Sequence, residues 1–175
     1  MRATMMSRLL AVTFAVAAGV AQAATSGAVA ELKPTQGNTV TGTVRFTQQD
    51  GKLQIDAEIK GLAPGVHGFH LHEKGDCSAP DGTSAGGHFN PAGHQHGAPT
   101  ASVRHGGDFG NITADASGNA SLHLTVPSSD ISLDAGAAGN VVGRGVIVHA
   151  DPDDFVTQPT GNAGKRLACG VVVAK

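Results

Sequence analysis

The stretch LQIDAEI, residues 53–59, predicts the fold class. Every second side chain in it is apolar, while the intervening positions hold glutamine, aspartate and glutamate. Side chains two apart on a β-strand point to the same face, so this stretch is predicted to form a strand with one buried and one solvent-exposed face. Strands of this two-faced kind are typical of antiparallel sheets.

The same alternation recurs on both sides of this stretch, in TVTGTVRF (residues 39–46) and in SLHLTV (residues 121–126). Glycine-containing sequences typical of turns, such as QDGK at residues 49–52, separate the apolar runs. Beyond the N-terminus no segment shows a convincing helical period, and the chain contains 25 glycines. We therefore predict an all-β fold, an antiparallel sandwich or barrel of short strands.

Residues 1–23 have the pattern of a secretory signal peptide. Two arginines accompany an apolar run at residues 9–20, and the small-residue sequence AQA ends at Ala23. The apolar run is shorter than the roughly 20 residues that cross a membrane, and no cysteine lies directly after it to carry a lipid. We predict cleavage after Ala23, export without a membrane anchor, and a single domain over residues 24–175.

Charge and cysteine usage narrow the class of function. Without Arg2 and Arg8, 10 lysines and arginines remain against 14 acids, a formal charge of −4. There is no basic stripe, so a nucleic-acid partner is not expected. The two cysteines, Cys77 and Cys169, lie in the exported part of the chain, where an even pair favours one disulfide. Two free buried thiols are the alternative.

Two long segments interrupt the strand pattern, residues 73–109 and residues 150–165. Structureless loops of this length are uncommon in a compact domain and are usually functional. Most of the nine histidines lie in or directly before the first segment. We therefore expect a functional site where these loops cover the sheet.

The hexapeptide HGFHLH, residues 67–72, places His70 and His72 two positions apart. The phenylalanine and leucine between them should face the core. The two imidazoles are then predicted to face outward together, close enough to bind one ion. His67 shares the parity of the core-facing residues and is interpreted either as structural or as a residue that supports a metal ligand.

The following loop offers further metal ligands. Residues 86–111 contain four histidines and an aspartate: His88, His94, His96, His105 and Asp108. Three imidazoles and one carboxylate make a tetrahedral set suited to Zn²⁺. Another histidine, His149, ends the apolar stretch GRGVIVH. A polar strand and a solvated loop are the alternatives for each piece alone, but together the pieces favour a metal site.

From about Thr39 to Val173 the chain resembles copper-zinc superoxide dismutases of the bacterial exported type. The motifs that carry the resemblance are GFHLHEKGDC, GGHFNP, the spacing H-x7-H-x8-H-x2-D that ends at Asp108, GRGVIVH and GNAGKRLACG. The resemblance implies a Greek-key antiparallel β-barrel or sandwich of about eight strands, with long metal-binding and electrostatic loops. It also implies a periplasmic location, with copper and zinc as cofactors.

The resemblance assigns each ligand by its position in the motifs. The copper ligands it implies are His70, His72, His88 and His149. The zinc ligands it implies are His88, His96, His105 and Asp108, so that His88 would bridge the two ions. The resemblance favours His96 over His94, because the family places its second zinc ligand eight residues after the bridging histidine. His94 is interpreted as a loop residue and His123 as a surface residue.

Four further residues match the family outside the ligand set. Asp153 would link a copper histidine to a zinc histidine, although Asp151 and Asp154 are near enough in sequence to compete for that role. Cys77 and Cys169 would form the intrasubunit disulfide. Arg166 would lie beside copper and act catalytically, with the always-charged guanidinium favoured over Lys165 for drawing in an anion.

The function implied is dismutation of superoxide to molecular oxygen and hydrogen peroxide, as antioxidant defence outside the cytoplasm. Copper would carry the electrons because zinc is redox-inert. His88 would also act catalytically, leaving copper on reduction and taking up a proton. The alternatives are a non-catalytic copper- and zinc-binding module on the same fold, such as a chaperone or store, and a purely structural zinc domain. Monomer and homodimer both stay open.

Overall fold

The computed structural model describes residues 26–175, so the predicted signal peptide and its cleavage site lie outside the described residues. The described part forms eight strands and one short 3₁₀ helix at Thr83–Ala85. The strands are β1 Ser26–Pro34, β2 Thr41–Gln49, β3 Lys52–Lys60, β4 Gly65–His72, β5 Asp108–Ala114, β6 Ala120–Pro127, β7 Gly145–His149 and β8 Arg166–Ala174. Within residues 26–175 no helix has the length and apolar character that crossing a membrane requires.

The eight strands form one antiparallel sheet in the order β5-β4-β7-β8-β1-β2-β3-β6. Its two edge strands, β5 and β6, approach each other, so the sheet curls into a nearly closed barrel. Three neighbouring pairs, β4–β7, β8–β1 and β3–β6, are far apart in the chain, which is the connectivity of Greek-key folds. The predicted all-β barrel of about eight strands is confirmed.

The strand that predicted the fold is β3, and its alternation is the alternation of burial. Leu53, Ile55, Ala57 and Ile59 are all at most 2% exposed. They pack in a core that also holds four phenylalanine rings. The ring of Phe109 is tilted against two of the others, with its centroid 5.8 Å from that of Phe69 and 6.5 Å from that of Phe46. Burial of apolar side chains on the inner face, at about 25 cal/mol per Å², is the main force that closes the barrel.

Two details of the strand pattern were not predicted. Strand β1 was missed because its inward side chains include the small Ala28 and Ala30, which give a weak apolar signal. The first long loop also ends earlier than predicted, since β5 begins at Asp108 and Phe109 belongs to the strand and the core. The segment between β4 and β5 is therefore residues 73–107.

The long loops fold back over the outer face of β4. The β4–β5 loop hydrogen-bonds to β4 at both of the backbone groups of Leu71, whose N–H donates to Gly107 O and whose carbonyl accepts from Phe89 N–H. From the β7–β8 loop, residues 150–165, the carbonyl of Asp151 accepts from the N–H of Gly68. A disulfide between Cys77 and Cys169, with Cα atoms 5.8 Å apart, joins the β4–β5 loop to β8.

Candidate metal centre

Strand β4 separates the core from the metal centre by the parity of its side chains. Phe69 and Leu71 are fully buried in the apolar core. His70 and His72 are also fully buried, yet they lie outside that core, on the opposite face and under the loops. The outward direction predicted for the two imidazoles is therefore observed, and the loops exclude water from them.

Four buried histidines form the first cluster: His70, His72, His88 and His149. One ligand nitrogen from each lies within 4.8 Å of the others. The Nε2 atoms of His72 and His149 are 3.4 Å apart, and the rings of His70 and His88 have centroids 4.0 Å apart. These residues come from β4, β7 and the β4–β5 loop, so only the folded barrel brings them together.

The second cluster shares His88 with the first and adds His96 and His105 from the β4–β5 loop and Asp108, the first residue of β5. The Nδ1 atoms of His88, His96 and His105 lie 2.8, 3.0 and 3.3 Å from Oδ1 of Asp108. A tetrahedral Zn²⁺ with bonds of about 2.0 Å holds its ligand atoms about 3.3 Å apart. The three distances are close to this value, so the second cluster fits a zinc site.

The hydrogen bonds of the imidazoles leave one nitrogen of each ring free for an ion. His72 and His149 each direct Nδ1 to a loop carbonyl, that of Gly86 at 2.9 Å and that of Gly164 at 3.3 Å. In the described chain four buried ring nitrogens have no hydrogen-bond partner: Nδ1 of His70, Nε2 of His88, Nδ1 of His96 and Nδ1 of His105. Buried polar atoms normally have a partner, so these nitrogens fit the donor set of bound metal ions.

The carboxylate of Asp153 connects the two clusters. Its Oδ2 accepts from Nε2–H of His70 at 2.7 Å, and its Oδ1 accepts from Nε2–H of His96 at 2.9 Å. Both rings are thereby fixed in the tautomer that leaves Nδ1 as a lone-pair donor. Asp153 is buried, whereas Asp151 and Asp154 are exposed.

Two amide side chains that sequence reasoning missed hold this connection in place. Asn111 on β5 accepts from the N–H of Asp153 at 2.8 Å and donates to its carbonyl at 2.9 Å. Gln158 does the same for His96, accepting from its N–H and donating to its carbonyl, both at 2.9 Å. Each side-chain amide hydrogen-bonds to both the backbone N–H and the backbone carbonyl of one residue. The local sequence gives no sign of such a role.

The comparison with known families decides what this pair of clusters is. A model described as copper/zinc superoxide dismutase (SODC) matches residues 40–172. The chain belongs to the copper/zinc superoxide dismutase family. A solved structure described as that of the clock protein EA4 is 41% identical to the chain, with a TM-score of 0.74. The match covers 85% of this chain and 94% of that one.

Family membership gives the clusters their cofactors. Copper/zinc superoxide dismutases bind copper and zinc, and the first cluster fits a copper site while the second fits a zinc site. The family predicted from the sequence motifs is confirmed, whereas the bacterial exported type stays a prediction.

Burial in the copper/zinc superoxide dismutase fold changes the pKa values of the clustered histidines. Burial lowers the pKa of His70 to about 4 and of His149 to about 3, and it holds the pKa of His72 well below its usual value. These imidazoles are therefore neutral at pH 7, as metal binding requires. For His96, burial also opposes protonation, but the carboxylates of Asp108 and Asp153 outweigh it and raise the pKa to about 9.

The two carboxylates are ionised. Burial opposes the charge on each, but hydrogen bonds from His88 and His96 to Asp108 lower the pKa of that carboxyl far below its usual value. Hydrogen bonds from His70 and His96 do the same for the pKa of Asp153. Fixed negative charge in the buried clusters attracts a divalent cation.

Arg166 lies at the start of β8, at the edge of the first cluster. Its Nη1 donates to Gly82 O at 2.7 Å and its Nη2 donates to Gly86 O at 2.6 Å. Because the Gly86 carbonyl also accepts from His72, one loop carbonyl joins the guanidinium to an imidazole of the first cluster. Lys165, the rival cation in sequence, is exposed.

Three histidines lie outside both clusters. His94 is exposed, with Nδ1 3.3 Å from Arg104 O, and it is absent from the second cluster, where His96 lies instead. His123 is exposed and pairs with Asp56 at 2.6 Å on the outer face of the barrel. His67 is buried, with its ring nitrogens each 2.9 Å from the carbonyl of His149 or of Ala63, so it supports the backbone that carries His149.

Replacement of Gly161 by alanine should weaken metal binding. This glycine has a φ of +66°, and a Cβ there would overlap Oδ1 of Asp153 and lie 2.6 Å from Nε2 of His96. We expect the zinc affinity of Gly161→Ala to fall about 10- to 100-fold, as for loss of other groups that orient metal ligands. Competition with a chromophoric chelator measures it.

The matched control is Gly136→Ala, because Gly136 has a φ of +82° but no atom within 4 Å of the added Cβ. It shares the backbone strain without the clash. Equal zinc affinities in the two variants would show that the contact between Asp153 and His96 does not matter for the metal.

Proposed function

We propose that the protein is a superoxide dismutase, which converts two superoxide anions and two protons into O₂ and H₂O₂. The observation that carries the proposal is the position of His88 between the clusters. Its Nδ1 lies 2.8 Å from Asp108 in the second cluster, and its buried Nε2 has no protein partner and is left for the first. Sharing one imidazole between a redox-active and a redox-inert metal suits a site that must exchange electrons without losing its geometry.

The proposed ligands are the nitrogens that hydrogen bonds to groups outside each cluster leave available, together with Oδ1 of Asp108. Copper would be held by His70 Nδ1, His72 Nε2, His88 Nε2 and His149 Nε2. Zinc would be held by His88 Nδ1, His96 Nδ1, His105 Nδ1 and Asp108 Oδ1. The support is the grouping of these residues, their burial and the hydrogen bonds that occupy the other nitrogens of His70, His72, His96 and His149.

Bound copper would supply the electron exchange, accepting one electron from a first superoxide and giving it to a second. The protein would place the anion and hold one of the two protons that hydrogen peroxide needs, and solvent would supply the other. Nε2 of His88 is the ring atom at which the chain can hold a proton for the peroxide product. The zinc cluster keeps the His88 ring in place meanwhile, and Asp153 fixes the rings on either side of it through His70 and His96.

Arg166 would draw superoxide to the first cluster. The exported chain has a formal charge of −4 and so repels an anion overall, which makes a local positive field necessary. The guanidinium is held by two carbonyls of the β4–β5 loop beside His72. A planar cation fixed in this way can receive a small oxyanion through two N–H groups.

A non-catalytic copper- and zinc-binding module is the second candidate. The same clusters would serve it, and the similar solved structure is named as a clock protein rather than as an enzyme. The two candidates differ in turnover, since a module that stores or transfers metal has no use for the fixed guanidinium of Arg166.

Superoxide decay after pulse radiolysis separates the two candidates. We expect the copper- and zinc-loaded protein to accelerate decay in proportion to its concentration. His149→Ala should reduce the rate per molecule more than about 100-fold, beyond the loss typical of outer groups, because it removes a proposed copper ligand. His123→Ala, an exposed histidine outside both clusters, should behave as wild type. A fully loaded wild-type protein without activity would favour the binding module.

Charge reversal at Arg166 tests the capture of the anion. Arg166→Glu should keep copper and zinc, lower the dismutation rate about 10- to 100-fold, and change its dependence on ionic strength. The matched control is Lys165→Glu, which makes the same change of charge one residue away on an exposed side chain. If the dismutation rate falls by the same factor in both variants at equal copper loading, the net charge is responsible and the placement of Arg166 is not.

We propose further that residues 1–23 are a signal peptide and that residues 24–175 form the mature periplasmic enzyme, as a monomer or homodimer. The disulfide between Cys77 and Cys169 supports an oxidising compartment. Mass spectrometry of protein from the periplasm of a bacterial host should find a chain that begins at Ala24. Protein of full length in the cytoplasm would contradict export.

A further inference from the structure

The turn between β1 and β2, residues 35–40, supplies no residue to either cluster but contacts the strand that carries Arg166. Strands β1 and β8 pair as far as Pro34, which lies opposite Ala168. Beyond that point Thr35 continues the ladder. Its N–H donates to Leu167 O at 3.0 Å, and its hydroxyl lies 2.7 Å from the carbonyl oxygen of Arg166.

The hydroxyl of Thr35 has a fixed orientation. Nδ2 of Asn38 donates to Oγ1 of Thr35 at 2.7 Å, so the hydroxyl proton is left to bond a carbonyl. Of the two carbonyls in reach, Arg166 O at 2.7 Å is closer than Leu167 O at 3.1 Å. Thr35 is only 8% exposed, so water competes little for this hydrogen bond.

The same turn also holds the loop that carries the guanidinium acceptors. Gln36 N–H donates to Pro80 O at 2.7 Å. The backbone of Gly82, whose carbonyl accepts from Arg166, packs so closely that a Cβ there would lie 3.3 Å from Cγ2 of Thr35 and 3.5 Å from Cβ of Arg166. Thr35 therefore contacts Arg166 both at its backbone and through its hydrogen-bond acceptor.

Open space lies beside Arg166, so the support of its backbone adds to the two carbonyls that hold its guanidinium. Arg166 borders a cavity of about 530 Å³, which is also lined by Thr35, Asn38, Asp81, Thr83 and Lys165. Asp81 carries the opposite charge and lines the same cavity, so it attracts the guanidinium. Holding the backbone of Arg166 limits movement toward Asp81.

We propose that Thr35 is a positioning residue for Arg166. The hydroxyl of Thr35 holds the backbone of Arg166, and the position of Arg166 in turn sets the affinity of the metal centre for small anions. The inference rests on the proposed function, which assigns copper to the first cluster and anion capture to Arg166. It concerns a residue in a part of the fold remote from the metal-binding loops in sequence.

The test uses Thr35→Val, which keeps the branched shape and removes the hydroxyl. Azide serves as the probe, followed by the change in Cu²⁺ absorption of the copper- and zinc-loaded protein. We expect the dissociation constant of azide to rise about 3- to 10-fold, the effect of one lost hydrogen bond, with copper and zinc contents unchanged. Thr35→Ser should restore the wild-type value.

Two variants separate positioning from a general effect on the fold. Thr43→Val removes a hydroxyl from the same hairpin, where Thr43 donates to the side chain of Glu31, and it should leave azide affinity unchanged. In an Arg166→Ala background, Thr35→Val should have no further effect, because its influence passes through the guanidinium.

The proposal would be overturned if Thr35→Val and Thr43→Val bound azide with the same affinity. It would also be overturned if Thr35→Val lowered azide affinity by the same factor in the Arg166→Ala background as in the wild-type protein. Loss of copper or zinc from Thr35→Val would also overturn it, because the hydroxyl would then act on the metal loops. The proposed function and the role of Thr35 can fail separately. If the wild-type protein does not dismutate superoxide, but Thr35→Val still binds azide more weakly than wild type, the proposed function is refuted and the role of Thr35 is retained.

Discussion

The hydrogen-bonded bridge from His70 through Asp153 to His96 is the interaction on which the rest of the site depends. One carboxylate orients a ring of the first cluster and a ring of the second, and it frees Nδ1 on both. It also joins the β7–β8 loop to strand β4 and to the β4–β5 loop. The chain accepts a left-handed backbone at Phe155, with a φ of 62°, and the N–H of that residue donates to the carboxylate. Such a conformation costs a non-glycine residue about 1 kcal/mol.

A buried polar centre of this kind opposes folding unless each group is satisfied. Four ring nitrogens in the described chain lack a protein partner, and each would cost about 1–3 kcal/mol if it had none at all. Bound metal offsets this cost. The disulfide between Cys77 and Cys169 contributes further, since a link across 92 residues stabilises by about 4–5 kcal/mol in the chain-entropy model. The barrel beneath supplies the rigid face, because its core is built from side chains on the other side of the same strands.

The fold was predictable where one face of a strand is strongly apolar, as in β3, and harder to predict where the inward residues are small. Strand β1 escaped prediction because Ala28 and Ala30 pack well without giving a strong apolar period. The start of β5 was misplaced because Asp108, which the spacing assigned to the metal-binding loop, is the first residue of a strand. At that position the spacing of histidines and aspartate overlaps the start of a strand, and the spacing led to the prediction of a loop.

The sequence by itself determined the class of fold, the family and the residues that the structure gathers into two clusters, because alternation and motif spacing are local properties of the chain. The tertiary structure alone decided which atoms of those residues are free and what holds them. Asn111, Gln158 and Thr35 act on backbone groups of residues that are between 42 and 131 positions away. No local pattern records such a contact, since a hydrogen bond to a backbone carbonyl or N–H does not depend on which side chain the partner carries.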